Sequence, residues 1–226
     1  MRTLVSPSDI DAAQAAADHI AGLMSDAIAA RGTASLALSG GKTPQTMVRT
    51  LAAHDIAWDS VHLFQVDERA VPLDNLARNW TMLGSLVDQV PEGNRHPMPV
   101  EVSDADHLYS AQLRRIAGDP PRLDVVHLGL GADGHTASLV PGDPAVGVVD
   151  RDVCWVESYQ GNRRLTLTVP VLTDARHQVW LVTGSEKSDA VSGLTSGDST
   201  APSALVLNRQ TAALFVDADA ASHIGA

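Results

Sequence analysis

Short apolar segments alternate with helical segments along most of this chain, and this alternation limits the fold more than any other feature. Seven segments have the length and the apolar composition of buried strands; they are 35–38, 61–66, 123–128, 153–156, 165–169, 179–182 and 213–216. Strands that are separated by helices pair most simply in parallel, with the helices covering both faces of the sheet. The pattern therefore predicts an α/β fold with a mostly parallel sheet.

Five segments are predicted to be helices, and four of them lie between these strands; the five are 8–31, 44–53, 79–87, 104–116 and 186–194. We expect Ser8, Thr43 and Asn79 to cap the first three helices, with Pro44 at the first position of the second. The loops rich in proline and glycine are short, so the chain is expected to form a single domain over 1–226. Ligands of such folds bind outside the carboxyl ends of the strands.

Charge and composition argue against several classes of function. The formal net charge of −11, from 16 basic and 27 acidic residues, disfavours broad attraction to nucleic acid or to a membrane surface. No apolar run approaches the roughly 18 residues that a membrane-spanning helix needs. Residues 1–9 lack the apolar core of a secretory signal, and Cys154 is the single cysteine, so we expect a cytoplasmic protein.

The two lysines of the chain, Lys42 and Lys187, both lie near glycines and hydroxyl residues at the start of a predicted helix. Lys42 belongs to the loop Ser39–Thr43, which follows a predicted strand. Glycines let a backbone approach a ligand closely, and free amides at a helix start favour anions. The sequence therefore predicts a phosphate site at this loop, with an ordinary tight turn as the alternative. A nucleoside triphosphatase is disfavoured because its loop needs glycine where this chain has Leu36.

Charged residues also accompany two other predicted strands. Asp67 and Arg69 follow one strand, Asn79 comes soon after them, and Arg163 and Arg164 begin another strand. The alternative for the charged residues is a solvated position at the surface, and the alternative for Asn79 is a helix cap. If their strands lie beside the strand that leads to the glycine loop, Arg164 and Lys187 can bind the same anion as that loop.

The segment 129–138, GLGADGHTAS, follows the central predicted strand and contains G-x-G-x-x-G. A dinucleotide site is disfavoured because Asp133 would face the pyrophosphate and because Asp150 precedes the next strand instead of ending it. His135 remains as a candidate general base, since a nearby carboxylate such as Asp133 can orient an imidazole without any metal or covalent nucleophile. The sequence motifs of serine hydrolases and zinc enzymes do not occur.

Five motifs together, SGGKTP, VDERAVP, GLGADGHTASLVPG, RRLTLTVPVL and VTGSEK, resemble the 6-phosphogluconolactonase family in order and spacing over nearly the whole chain. The resemblance implies a modified Rossmann-like, three-layer α/β/α fold with a small appended subdomain. It also implies hydrolysis of 6-phospho-D-glucono-1,5-lactone in the oxidative pentose phosphate pathway. We expect no cofactor, no metal, and a monomer or a weak homodimer.

Each candidate residue has an expected role in this reaction. His135 would be the general base and Asp133 would orient it, while Asp67, Arg69 and Asn79 would line the sugar site. The residues that would hold the phosphate are Gly40, Gly41, Lys42, Thr43, Arg164 and Lys187. Lys42 stands where a serine is usual in the family, and it adds a cation beside the phosphate.

Two alternative functions remain open. Glucosamine-6-phosphate deaminases have a similar motif, D-G-H-I-A-F-N-E-P, whose glutamate takes part in ring opening. This chain has Val140 at that position, and valine cannot transfer a proton. The second alternative is a non-catalytic sugar-phosphate sensor. Such sensors usually carry a DNA-binding domain, for which 226 residues with a charge of −11 leave little room.

Overall fold

The structure, a computed structural model, describes residues 1–72, 74–197 and 199–225. These residues contain nine strands and eight α-helices, joined by turns and loops. The strands are β1 (Arg2–Ser6), β2 (Ala34–Leu38), β3 (Val61–Gln65), β4 (Asp67–Arg69), β5 (Val125–Leu128), β6 (Val153–Tyr159), β7 (Asn162–Leu167), β8 (His177–Val182) and β9 (Ala212–Asp217). The helices are α1 (Asp9–Arg31), α2 (Gln45–Ala52), α3 (Asn79–Met82), α4 (Gly84–Gln89), α5 (Ala105–Ala117), α6 (Val169–Thr173), α7 (Ser188–Ser196) and α8 (Pro202–Val206).

Six strands form the main sheet in the order β1-β9-β8-β5-β2-β3, and every neighbouring pair in it is parallel. The strands β4, β7 and β6 form a second sheet, in that order, which is antiparallel. The predicted α/β fold with a mostly parallel sheet and a small appended subdomain is therefore confirmed.

The two faces of the main sheet bury separate apolar clusters. Leu36 and Leu38 of β2 pack in the cluster that contains the buried residues of α1 and α2. Ala37, which lies between them, packs in the opposite cluster with residues of α5 and of the second sheet. This alternation is the period of two that a strand imposes on its side chains. Because both faces of the sheet are covered, a ligand can reach the sheet only at the ends of its strands, and in such folds ligands bind at the carboxyl ends.

The long helix α1 begins as predicted, because the Ser8 side chain accepts a hydrogen bond from the Asp11 amide at 3.1 Å. Its buried face is made mostly of alanines, which allow the helix to lie close to the sheet; they are Ala12, Ala13, Ala16, Ala17, Ala21 and Ala27. No helix in the described residues is both long and apolar enough to cross a membrane.

Other local predictions were wrong. Thr43 does not cap α2, because the helix begins at Gln45 and Pro44 occupies the cap position without a side-chain hydrogen bond. The predicted helix 79–87 is two helices, α3 and α4, since Gly84 has φ of 41° and leaves the right-handed helical region. The helix predicted from residue 186 begins as a 3-10 turn, Ser185–Lys187, before α7.

Candidate active site

A cavity lies at the carboxyl ends of β2, β5 and β8, where residues of the second sheet form part of its wall. His135 lines this cavity, and Asp133 contacts His135. All the candidate binding residues also line it; they are Gly40, Gly41, Lys42, Thr43, Asp67, Arg69, Asn79, Arg164 and Lys187. The topology thus brings together residues from five separate motifs.

His135 and Asp133 form a close pair in the loop that follows β5. The Nδ1 atom of His135 lies 2.5 Å from Oδ1 of Asp133, and the same carboxylate oxygen accepts the His135 backbone amide at 3.1 Å. Burial alone would raise the pKa of Asp133, but the hydrogen bonds from His135 and the attraction to its ring when protonated outweigh burial, and that pKa is lowered. The carboxylate is therefore ionised near neutral pH, and Nδ1 carries the shared hydrogen. The Nε2 atom makes no hydrogen bond to the described residues, which leaves its lone pair available as a base.

Gly131 makes room for this pair. The loop is closed by two backbone hydrogen bonds, from the Gly131 amide to the His135 carbonyl at 2.8 Å and from the Gly134 amide to the Gly131 carbonyl at 2.9 Å. A Cβ atom on Gly131 would overlap Nδ1 of His135 and the nearest oxygen of Asp133. The glycine is therefore required by the contact between the two side chains.

Tyr159 contacts the imidazole from the second sheet, and sequence reasoning missed it. Its hydroxyl oxygen lies 3.1 Å from Nδ1 of His135, and the two rings meet edge to face with centroids 5.2 Å apart. Burial and the negative charge of Asp133 raise the pKa of Tyr159, so the hydroxyl stays protonated. Gln160 and Gly161, both with positive φ, form the turn of the β6–β7 hairpin that presents this tyrosine. The turn sequence Tyr-Gln-Gly-Asn between two strands was the signal available.

Arg164 points into the cavity, whereas its neighbour Arg163 does not line it. Arg163 is exposed, pairs with Glu157 and stacks on Trp155. The guanidinium of Arg164 lies 4.7 Å from the centre of the Tyr159 ring. Alternation along β7 therefore assigns only the second arginine to the site.

Arg164 enters the cavity beside the carboxylate of Asp67. Its Nη1 atom lies 3.9 Å from Oδ2 of Asp67, which also accepts the Ser138 hydroxyl at 2.7 Å. The strands that lead to Arg164 and Lys187 do not lie beside β2, because β7 belongs to the second sheet and β5 separates β8 from β2. The chain leaves the main sheet after β3, and β4 pairs with β7 instead. Arg164 therefore reaches the cavity from the second sheet.

Glu68 is a buried carboxylate between two site residues, and sequence reasoning also missed its role. It is 0% exposed, so the charged segment after β3 is not a solvated rim. Its oxygens accept the backbone amides of Arg69 at 2.7 Å, Asn79 at 2.8 Å and Trp80 at 2.9 Å. Glu68 thereby supplies the acceptor at the start of α3 and ties that helix to β4.

Asn79 consequently does not act as the predicted helix cap. It is the first residue of α3, after Arg78 at the cap position. Its side-chain amide donates instead to the Asp67 carbonyl at 3.0 Å and to Oδ1 of Asp67 at 3.2 Å. The carboxylate of Asp67 is therefore fixed from both sides, by Asn79 and by Ser138.

The two lysines lie at the part of the cavity that the Ser39–Thr43 loop forms. Neither Lys42 nor Lys187 makes an ion pair or hydrogen bond with a side chain in the described part of the chain, whereas Arg164 faces Asp67. Two cations without an acidic partner beside a glycine loop favour an anionic ligand there. Nowhere in the described ranges do three His, Cys, Asp or Glu side chains come close enough to hold a metal ion.

Comparison with known proteins identifies the family. Residues 7–215 match the model of the family described as glucosamine-6-phosphate isomerases/6-phosphogluconolactonase. The chain belongs to this family. A 6-phosphogluconolactonase of Synechocystis sp. is 42% identical over 175 residues, which cover 73% of this chain and 72% of the relative. A 6-phosphogluconolactonase of Mycobacterium tuberculosis is 38% identical over 231 residues, which cover 93% of each.

Solved structures of the family have the same fold. The 6-phosphogluconolactonase from Trypanosoma cruzi aligns with a TM-score of 0.89 at 26% identity and covers 100% of this chain and 97% of its own. A monomeric glucosamine-6-phosphate deaminase aligns with a TM-score of 0.84 at 17% identity, covering 99% of this chain and 100% of its own, which shows a shared fold alone. The resemblance of the five sequence motifs to the family is confirmed.

Proposed function

We propose that this protein is a cytoplasmic 6-phosphogluconolactonase, a single domain over 1–226 that hydrolyses 6-phospho-D-glucono-1,5-lactone to 6-phospho-D-gluconate. The observation that carries the proposal is the Asp133–His135 pair, which shares one cavity with a glycine loop and two lysines; among the described residues, Nε2 of His135 has no hydrogen-bond partner and the lysines have no acidic partner. A general base and a separate anion site are what hydrolysis of a phosphorylated lactone requires. Relatives named for this activity support the assignment.

His135 activates the water molecule. Its Nε2 atom removes a proton from water as the oxygen attacks C1 of the lactone, and Asp133 stabilises the imidazolium that forms. The carbonyl oxygen becomes an oxyanion in this step and needs a hydrogen-bond donor. Tyr159 is suited to that role. Nδ1 of His135 donates its hydrogen to Asp133, so it does not accept the Tyr159 hydroxyl hydrogen. The side-chain amide of Gln160 donates a hydrogen bond to the Tyr159 oxygen at 3.3 Å. The Tyr159 hydroxyl hydrogen is therefore free to point at the substrate.

The same histidine completes the reaction. When the tetrahedral intermediate collapses, the bond between C1 and the ring oxygen breaks, and the imidazolium returns its proton to that oxygen. The product is an open chain with a new hydroxyl group and a carboxylic acid, which loses its proton to solvent. No covalent intermediate with the protein is needed, since water is the nucleophile throughout.

The phosphate group orients the lactone for this attack. Lys42 and Lys187 supply charge at the Ser39–Thr43 loop, while Asp67 and Asn79 face the hydroxyl groups of the sugar. Arg69 is held by a hydrogen bond to the Ala77 carbonyl at 2.7 Å, which fixes its guanidinium at the same wall. Binding energy from the remote phosphate thus positions the carbonyl against His135.

The test of this function is an assay of the purified protein on freshly prepared 6-phosphogluconolactone, corrected for spontaneous hydrolysis. We expect acceleration over the blank and a strong preference for this substrate over unphosphorylated gluconolactone. We also expect no release of ammonia from glucosamine 6-phosphate, because Val140 cannot transfer a proton. Ammonia release would favour the deaminase instead. Binding of sugar phosphates without any turnover would favour the sensor.

Lys187→Ala is expected to reduce the preference for the phosphorylated lactone. A hydrogen bond to a charged group contributes roughly 1.5 to 3 kcal/mol, so the ratio of kcat/KM for the two lactones should fall by about 10- to 150-fold. The main change should be in KM, because the phosphate is bound alike in the ground and transition states. Arg163→Ala is the matched control, since it removes an exposed cation outside the cavity. An unchanged ratio in Lys187→Ala would exclude that lysine from the phosphate site.

A further inference from the structure

A buried histidine that the mechanism above does not use lies in the wall of the same cavity. His127, in β5, is 1% exposed, and neither of its ring nitrogens has a hydrogen-bond partner in the described part of the chain. Burial lowers the pKa of His127 to about 3, so the imidazole is neutral and offers one N–H donor and one acceptor. Native structures seldom keep a buried polar group without a partner, so this ring calls for an explanation.

The position of His127 in the sheet shows what it faces. Val126 and Leu128 pack in the cluster with α5, whereas Val125 packs with α1 and α2, so alternation directs His127 to the α2 side. On the strands at either side, Leu38 and Leu181 belong to that same cluster.

The Ser39–Thr43 loop begins directly beside this histidine. The Ser39 hydroxyl donates a hydrogen bond to the His127 carbonyl oxygen at 3.0 Å, which fixes the loop against β5. Leu181, on the other side, also lines the cavity, and Lys187 follows β8. The imidazole is therefore directed to the α2 side of β5, and the Ser39–Thr43 loop leads from β2 towards α2.

We propose that His127 is a phosphate-binding residue, whose imidazole N–H donates a hydrogen bond to an oxygen of the phosphate group held by the Ser39–Thr43 loop. The inference rests on the proposed function, because it takes a phosphate monoester as the ligand of this loop. A neutral donor complements the two lysines, since its hydrogen bond fixes the orientation of the phosphate without adding positive charge to the site. Its apolar surroundings strengthen the hydrogen bond by excluding water.

This role has a consequence for stability that a purely structural histidine would not have. In the absence of ligand, His127 leaves two buried polar atoms unsatisfied, so an apolar side chain of similar size should be tolerated or preferred there. His127→Leu is therefore expected to keep or raise the Tm of the ligand-free protein while weakening phosphate binding. A histidine kept for structure would lower the Tm when replaced and would leave phosphate binding unchanged.

His96→Leu is the matched control. His96 is also buried, at 3% exposure, but its ring has a partner in His62 at 3.1 Å and stacks on Phe64 at a centroid distance of 4.4 Å. It does not line the cavity. We expect His96→Leu to lower the Tm and to leave the affinity for phosphate compounds unchanged, which is the opposite of the pattern expected for His127→Leu.

The experiment measures thermal unfolding and calorimetric binding of 6-phosphogluconate and of inorganic phosphate. We expect His127→Leu to bind both about 10-fold more weakly than the wild type, as for one lost hydrogen bond to a charged group. His127→Gln, whose amide can donate, should recover part of that affinity. Should His127→Leu fail to fold, His127→Gln and the ¹⁵N resonances of the wild-type His127 ring, which should shift when phosphate is added, provide the test.

The outcomes separate this inference from the proposed function. An active lactonase whose affinity for both anions is unchanged in His127→Leu and His127→Gln, or whose His127 ring resonances do not respond to phosphate, would overturn the inference alone. A protein that binds phosphate in a His127-dependent way but does not hydrolyse the lactone would overturn the proposed function and support the inference.

Discussion

His135→Gln is expected to lower kcat for 6-phosphogluconolactone by about 10²- to 10⁴-fold, the range for loss of a general base. The Nε2 atom of His135 is the one unengaged nitrogen of an imidazole whose Nδ1 is bound to Asp133 at 2.5 Å. Glutamine keeps a polar side chain of similar length but cannot accept a proton near neutral pH. Affinity for the product 6-phosphogluconate should change little, because the phosphate contacts lie elsewhere in the cavity.

Steady-state kinetics and product titration together distinguish this role from a structural one. His54 provides a control, since it also pairs with an aspartate, Asp18, at 3.0 Å but does not line the cavity. His54→Gln should retain wild-type turnover. A folded His135→Gln variant with near-normal kcat would remove His135 from the mechanism and would leave water activation without an assigned base.

The main sheet could be predicted from the sequence because its inner strands are buried on both faces and therefore consist of continuous apolar runs. β2 and β5 are examples, and every residue in each is buried. β1 could not be predicted in this way, since it lies at the edge of the sheet and its side chains are exposed or half-buried. β4 was missed because its three residues, Asp67–Arg69, are all charged, and only pairing with β7 makes them a strand.

The part of the candidate site that could be predicted consists of residues that lie close together in the sequence. Asp133 and His135 are two residues apart, so a single loop brings them together. Tyr159 was missed because its turn sequence indicates only a hairpin, whereas its contact with His135 joins the main sheet to the second sheet across 24 residues of sequence. Glu68 was missed for a related reason. Its partners are the backbone amides of Asn79 and Trp80 on α3, and every residue except proline has such an amide, so the sequence does not mark these two as partners.

Gly131→Ala is expected to lower kcat by about 10²-fold or more while the protein remains folded. The backbone of Gly131 does not have positive φ, so alanine is tolerated there by the main chain. The added methyl group would instead occupy the space of the contact between His135 and Asp133. One or both side chains must then move, and displacement of a catalytic group by about 1 Å costs on the order of 10²-fold in rate.

Gly129→Ala is the matched control for this effect, because Gly129 lies two residues earlier in the same motif. Among the described residues, a Cβ atom there has no neighbour within 4 Å apart from the residues adjacent to it in the chain. It should retain near wild-type kcat. Steady-state kinetics of both variants, with circular dichroism to verify folding, makes the comparison. Gly129 and Gly131 both line the cavity, so a loss of kcat confined to Gly131→Ala, with KM unchanged, would be attributed to displacement of the catalytic pair. Equal rates in the two variants would mean that catalysis does not depend on the observed contact between His135 and Asp133.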